Sequence, residues 1–437
     1  MDTLPKVLVV GINPWIDNTG INTLINFFEK WDPNKLAHIY TRSSLPNTKI
    51  CNNFFQISEN LVIKSVIKRN IKVGKIVFNA NEKKKSKNEI NEKKKYAFFR
   101  KHRSYIVLLV RDIFWKFGKW KSKELNEFVD SYNPDVLFIP IYAYSYMAML
   151  QLYIIKRCKK PVITYIADDV YSYKSEKGSI LFYIYRFFLR KSIKKLMKYN
   201  NQLFVIAPKL KNEYDKIFKT NSDILTKGID FTHLTYTKKQ INKPIKLVYT
   251  GKTNIGRWYS LSLLANAINE INIKSNKIKL FLEIYTKDEL SNKVSKALNI
   301  QNASKVMGSL TLEESLEIQK KADILVFAES LQWRYKDLAR LSFSTKLTDY
   351  FANGKCILAI GDKNIAPIEY LKENNCALIC SNYKEIISNL NVVVKNETII
   401  NKYSELGFNI GKLNHNKSSI NKKLMNCIKK LQGDIYE

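Results

Sequence analysis

A chain that keeps returning to short unbroken apolar runs, each followed by a helix-length amphipathic stretch, has few ways to fold. Lys6–Ile12 (KVLVVGI) ends in the loop NPWIDNTG and is followed by the helical pattern INTLINFFEKW. The alternation continues through LAHIYTR, PDVLFIP, KPVITYIADD and QLFVIAP, with helical stretches between most of them. Continuous apolar strands are buried on both faces, and strands that alternate with helices pair in parallel, so this half reads as a doubly wound α/β domain. After Asp230 a polar connector, THLTYTKKQINKP, leads into a fresh strand, IKLVYTG, and the alternation begins again through IKLFLEIYT, DILVFAE, KCILAIG and CALICS. A domain boundary is expected near 231–244, with one domain over 1–235 and a second over 240–437. In open α/β sheets ligands sit beyond the carboxyl ends of the strands, so two such domains facing each other make a cleft.

Charge sets the class of partner. Seventy-three Lys and Arg against 39 acidic residues give a formal charge of +34, which attracts phosphates and acidic lipids. Part of the excess lies in a low-hydrophobicity insertion at about 80–104 (NEKKKSKNEINEKKKYAFFRKHRS). Nucleic acid is not the expected partner, because the basic residues are spread through the chain and no nucleic-acid-binding signature accompanies them. The scattered cysteines read as reduced thiols, and the four isolated histidines give no metal-ligand spacing, so no metal and no cofactor are expected. MDTLPKVLVV lacks the basic start and cleavage site of a signal peptide, which predicts a cytoplasmic protein. Val136–Ile155 is long enough to span a bilayer, but Pro140, four tyrosines and Gln151 favour a buried strand and helix. In 179–199, Leu181, Tyr185, Leu189 and Leu196 keep helical spacing, while Arg186, Arg190, Lys191, Lys194, Lys195 and Lys198 take the other face. Together with the nearby basic and aromatic AFFRKHRSYIVLLVRDIFWKFGKW, this reads either as a face held peripherally on an anionic membrane or as a core helix with a solvated basic side.

The segment Ser342–Gly361 (SFSTKLTDYFANGKCILAIG) describes one short helix and a buried strand, with Ser344 as N-cap, Thr345 and Lys346 in the first turn and Gly354 at the C′ position. The unpaired amides at its start, with Lys346 and the two hydroxyls, suit a phosphate. Asp349 lies one turn deeper on the face of Thr345, where a carboxylate can accept from a ribose diol.

STKLTDYFANGKCILAI resembles the donor-binding segment of GT-B glycosyltransferases, particularly the family-4 type of bacterial capsule, exopolysaccharide and lipopolysaccharide synthesis, roughly S-T-K-x-x-[DE]-Y-x-A-x-G-K-P-I-L. LVYTGKTNIGRWYSLSLLANAI, QLFVIAPKLKNEY and LTKGIDF resemble further stretches of that family in the same order, so the resemblance spans nearly the whole chain. It implies two Rossmann-like domains, an acceptor-side one and a nucleotide-sugar-binding one. The activity implied is transfer of a sugar from a nucleotide-diphosphate donor to a lipid-linked or polysaccharide acceptor at the inner face of the plasma membrane, with retention. Lys252 and Arg257 fall where such enzymes hold the donor pyrophosphate, and Thr19 and Gly20 where the family has a glycine-containing loop facing the donor. Donor contacts are therefore expected from Thr19, Gly20, Lys252, Arg257, Ser344, Thr345, Lys346 and Asp349, with Lys252 and Arg257 stabilising the leaving group. Asp168 and Asp169 end a strand at the cleft edge; they either cap the next helix or face the acceptor hydroxyl, Asp169 then serving as general base. Family-4 members carry a glutamate where this chain has Leu341, so its contact is expected from Glu329 or the loop 330–341. That departure also leaves room for a catalytically inactive partner in a glycan-assembly complex.

Overall fold

Two sheets organise the chain, and the computed structural model describes residues 4–17, 23–68, 70–79, 104–174 and 178–433. Thr19, Gly20 and nearly all of the basic insertion at about 80–104 lie outside the described residues.

The first sheet comprises β1 (Val7–Val10), β2 (Leu36–Tyr40), β3 (Asn53–Ile57), β4 (Gly74–Val77), β5 (Val136–Pro140), β6 (Val162–Ile166), β7 (Asn200–Val205) and β8 (Asp223–Ile224). Their spatial order is β4-β3-β2-β1-β5-β6-β7-β8, parallel except for β4 at the edge. The second sheet comprises β9 (Ile245–Thr250), β10 (Leu280–Tyr285), β11 (Ser304–Gly308), β12 (Ile324–Ala328), β13 (Cys356–Ile360) and β14 (Leu378–Cys380), ordered β11-β10-β9-β12-β13-β14 and parallel throughout. Both are doubly wound Rossmann-like sheets. Their order reverses between β1 and β5 in one and between β9 and β12 in the other, and a crevice opens at each such switch point. Every residue of β1, β5, β6, β12 and β13 is buried, as continuous apolar strands covered on both faces require.

Three strands of the first sheet, β3, β4 and the two-residue β8, escape the apolar-run reading. Gln56 interrupts the pattern of β3 yet is buried, because its amide donates to the Tyr40 hydroxyl and to the carbonyls of Arg42 and Ser43. Val136–Ile155 divides into β5 and the helix Ser145–Cys158, and Gln151 reaches back to donate to the carbonyls of Val10 (3.0 Å) and Pro140 (2.7 Å). No helix among the described residues is long and apolar enough to cross a membrane.

The chain also returns on itself. The helix Lys417–Gly433 follows the second sheet in sequence but packs Ile420, Leu424 and Ile428 into the core that Val7, Val9 and Phe28 build on the first. The return is made at Gly228, where a Cβ would lie 2.5 Å from the Lys417 Cα; only glycine permits that approach. Asn26 fixes the same peptide, accepting from Gly228 N at 2.7 Å and donating to its carbonyl at 3.0 Å.

The helix Ile180–Met197 corrects one expectation. Its buried face holds Phe182, Tyr185, Arg186, Leu189, Ile193 and Leu196, so Arg186 points inward and donates to the Val170 carbonyl. Arg190 lies over the rings of Tyr171 and Tyr173, at 4.1 and 4.4 Å from their centroids. The open face carries Ile180, Tyr183, Ile184, Phe187 and Phe188 beside Lys191, Lys194, Lys195 and Lys198. The loop 168–174 causes the inversion by offering a carbonyl and two rings to cations that periodicity alone assigns to solvent.

Candidate active site

The carboxyl end of β9 and the loop that follows it are shaped by one carboxylate. Asp288 accepts from the backbone N–H of Thr253 (2.6 Å) and Asn254 (3.1 Å) and from the Thr253 hydroxyl (3.1 Å). Residues 251–256 are thereby bent back against the sheet, and the helix Arg257–Ser275 starts at the switch point between β9 and β12. Gly256, with φ +76°, makes the final turn; a Cβ there would sit 2.3 Å from the Ser330 hydroxyl.

Three cations converge on this corner. Arg257 makes a two-pronged bond to Glu329, just past β12, with Nε and Nη2 at 3.0 and 2.9 Å from the carboxylate oxygens. Lys346 comes from the helix Lys346–Ala352 and donates to the Thr250 carbonyl at 2.9 Å. A Cβ on Gly251 would lie 2.0 Å from that ammonium, so the glycine makes room for the cation. Lys346 is exposed as a residue, yet its ammonium is packed among protein atoms, 5.7 Å from the Tyr249 ring centre. This desolvation, aided by the charges of Arg257 and Lys252, lowers its pKa to about 8. Lys252 completes the group from the exposed loop.

The expected capping residue shifts by one position. The helix opens at Lys346 with Thr345 as its cap, whose side chain makes no capping hydrogen bond, because Ser344 O accepts from Leu347 N in a tight first turn. Gly354 ends it at φ +56°, as the C′ reading requires. Asp349 accepts from the Lys227 ammonium at 2.7 Å, so its carboxylate already ties the second domain to the segment leading out of the first. Glu329 engages Arg257, and Leu341 is fully buried.

Asp168 and Asp169 do not cap the next helix, which starts only at Ile180. Asp169 instead closes a turn by accepting from Ser172 N (2.9 Å) and the Ser172 hydroxyl (2.6 Å), and it also accepts from the Tyr214 hydroxyl (3.1 Å) and Arg340 Nη2 (2.8 Å). Burial opposes its charge, but the Ser172 bonds and the Arg340 guanidinium outweigh burial and hold its pKa below the usual carboxylate value. A carboxylate so placed is a poor proton acceptor, and its position is that of a clamp between the domains. Arg340 also grips Glu213. Asp168 is exposed and accepts from the Ser342 hydroxyl across the same seam at 2.7 Å. Lys209 pairs with Glu369 nearby.

Sequence reasoning missed Arg340, Glu213, Lys227 and Asp288; only Asp288 left a local trace, in the Thr-x-Asp of YTKDE. His38, one of the four isolated histidines, is a fully buried neutral ring stacked on Trp15 at 4.7 Å, whose burial lowers its pKa to about 3. The loop 330–341 leads from the cation corner to the clamp, and Leu331–Tyr335 with Tyr259 line an open recess of about 610 Å³ that includes the exposed Trp333.

No family model matches the chain, and no curated protein matches it in sequence. Solved structures match it over nearly its full length. HepE of Anabaena, in complex with UDP and glucose, aligns with a TM-score of 0.62 at 8% identity, covering 97% of this chain and 99% of that one. Sucrose-phosphate synthase of Thermosynechococcus elongatus gives 0.58 at 8% identity, covering 98% and 100%. TarM gives 0.59 at 9% identity, covering 98% and 100%. At such identities the likeness establishes the fold: two Rossmann-like domains facing a cleft, the GT-B arrangement.

Proposed function

We propose that this chain is a glycosyltransferase that takes a sugar from a nucleotide-diphosphate donor and passes it to a lipid-linked or polysaccharide acceptor in bacterial surface-glycan synthesis. The observation that supports the proposal is the convergence of Lys252, Arg257 and Lys346 at the switch point of the second sheet. As the glycosidic bond to the donor breaks, negative charge accumulates on the departing diphosphate. Fixed cations that need no reorganisation stabilise that charge more in the transition state than in the ground state. In the free protein Glu329 holds Arg257 extended; an incoming pyrophosphate takes over that guanidinium and finds it already oriented. The binding of UDP by HepE, a neighbour in fold, makes a uridine donor the first to test.

Asp349 is assigned the ribose, shared with Lys227, and Asp168, exposed at the cleft edge, takes the acceptor side. The resemblance to family-4 enzymes favours retention at the anomeric carbon. We assign the cytoplasmic face of the membrane as the working location, and a reaction that needs no metal, since three side-chain cations stand where a divalent ion would otherwise neutralise the diphosphate. Turnover that is unchanged by EDTA supports the latter; loss restored by Mg²⁺ refutes it.

Calorimetric titration with UDP, GDP and dTDP, with Arg257→Ala as control, is the direct test. Binding of one nucleotide that the variant abolishes supports the donor site, and absence of binding by all three overturns it. Nucleotide binding without transfer across a panel of donors returns the reading to an inactive partner.

A further inference from the structure

The first domain carries an apolar surface that the proposed reaction does not use. On the helix Tyr105–Phe117, Ile106, Val110, Ile113 and Phe117 follow helical spacing along one open stripe, with Val107 beside them. On the helix Ile180–Met197, Ile180, Tyr183, Ile184, Phe187 and Phe188 form a second. The two helices pack together through Tyr105, whose ring lies 5.4 Å from Phe182 and 6.0 Å from Tyr185. Exposure along the stripes runs from 38% at Val107 to 79% at Ile180, far from the scattered single apolar residues of an ordinary surface.

Charge indicates what covers this surface. The apolar stripe of the second helix continues directly into exposed Lys191, Lys194, Lys195 and Lys198, and that of the first ends at Lys116 beside Phe117. The second helix contains no acidic residue. The first contains only Asp112, whose carboxylate is turned inward and accepts from Tyr146 N at 3.1 Å. Aromatic and aliphatic side chains at one level with a row of ammonium groups beside them match the two layers of a bilayer surface, acyl chains below and anionic headgroups above.

We infer that the paired helices Tyr105–Phe117 and Ile180–Met197 form a membrane-docking face that inserts its aliphatic and aromatic side chains into an anionic lipid surface, with the adjoining lysines on the headgroups. The mode differs from simple electrostatic adhesion: apolar insertion supplies the part of the binding that survives salt, and the lysines supply selectivity for acidic lipid.

Flotation of the full chain with vesicles tests this without donor or acceptor, so its outcome is independent of the proposed transfer reaction. The protein is expected to float with vesicles of equal parts phosphatidylglycerol and phosphatidylcholine and to stay behind with phosphatidylcholine alone. Phe187→Ser with Phe188→Ser is expected to lower partitioning about tenfold or more at high salt, and Lys191→Glu with Lys194→Glu and Lys195→Glu about tenfold at low salt. All five positions are exposed, so the denaturation midpoint should stay that of the wild type. Retained binding by the Phe pair variant at high salt overturns the insertion. Failure of the wild type to float overturns the lipid assignment. A dimer in solution that the Phe pair variant converts to monomer also overturns it, since the face is then covered by a second copy.

Discussion

Two arginine–carboxylate pairs, one within the second domain and one across the seam between the domains, are built for opposite ends. Arg257 and Glu329 are 25% and 13% exposed, Arg340 and Asp169 14% and 3%. Arg340 is shared among Asp169, Glu213 and Ser172, and Asp169 in turn accepts from Ser172 and Tyr214, so several groups of the protein itself hold this pair, with Arg340 Nε alone left without a hydrogen-bond partner. Arg257 faces one carboxylate, and Glu329 acts electrostatically on Lys346 as well. An anionic ligand need break only the Glu329 pair to reach Arg257, whereas to reach Arg340 it must displace Asp169, Glu213 and Ser172 together. The number of protein partners, together with burial, separates a binding cation from a structural one here.

The sharpest way to break this comparison is to remove each arginine. Arg257→Ala should lower turnover about 10²–10³-fold, the usual cost of one donor aimed at developing charge, and because it takes the bidentate partner from the largely buried Glu329 carboxylate it should also lower stability by about 1–3 kcal/mol. Unchanged turnover would take Arg257 out of the site. Arg340→Ala should do the reverse in kind: about 3 kcal/mol of stability lost, read from the denaturation midpoint, with nucleotide affinity kept. If Arg340→Ala instead abolishes nucleotide binding at wild-type stability, the assignment of the two pairs is inverted.

How much of this was legible depends on how far apart the partners lie in sequence. Ser342–Gly361 displays its helix, its terminating glycine and its strand locally, because capping and strand burial act over a few residues. Lys252, Arg257 and Lys346 could be nominated together because the loop and helix ends that carry them keep a recognisable order. Arg340 and Asp169 are 171 residues apart, and no local pattern announces a clamp between domains. Arg186 and Arg190 were misassigned for the same reason: the carbonyl and rings that draw them inward belong to 170–173, and helical periodicity knows nothing of that loop. Asp169 lies in the loop three residues past the end of β6 at Ile166, and its donors come from Ser172, Tyr214 and Arg340, which remove the basicity that a cleft-edge carboxylate otherwise offers.

A subtler perturbation leaves every charged group in place. Gly251→Ala puts a methyl 2.0 Å from the Lys346 ammonium, at φ +156°. The contact is with the end of a flexible side chain, so the lysine moves and the fold persists. Nucleotide affinity is expected to fall about tenfold, the scale of one displaced charge-assisted bond, and the denaturation midpoint to fall as well, by the roughly 1–3 kcal/mol that an L side chain costs at that φ. Wild-type affinity in this variant would show that the position of Lys346 does not matter to the ligand.

The smallest effect distinguishes Lys346 from its two companions. Its crowded ammonium has a pKa of about 8, whereas a guanidinium such as that of Arg257 stays charged throughout the accessible range. A lysine carries its charge below its pKa, and a diphosphate binds best to the charged form. Affinity should thus be level just below about pH 8 and decline above it, by at most about tenfold per unit for one linked proton, until the higher pKa of the complex is reached. Lys346→Arg keeps the charge across that interval and should flatten the decline, while Arg257→Ala should weaken binding and move the onset of the decline to higher pH, because the Arg257 charge helps to depress the Lys346 pKa. A slope that persists in Lys346→Arg would assign the titration to another group, and with it remove Lys346 from contact with the diphosphate.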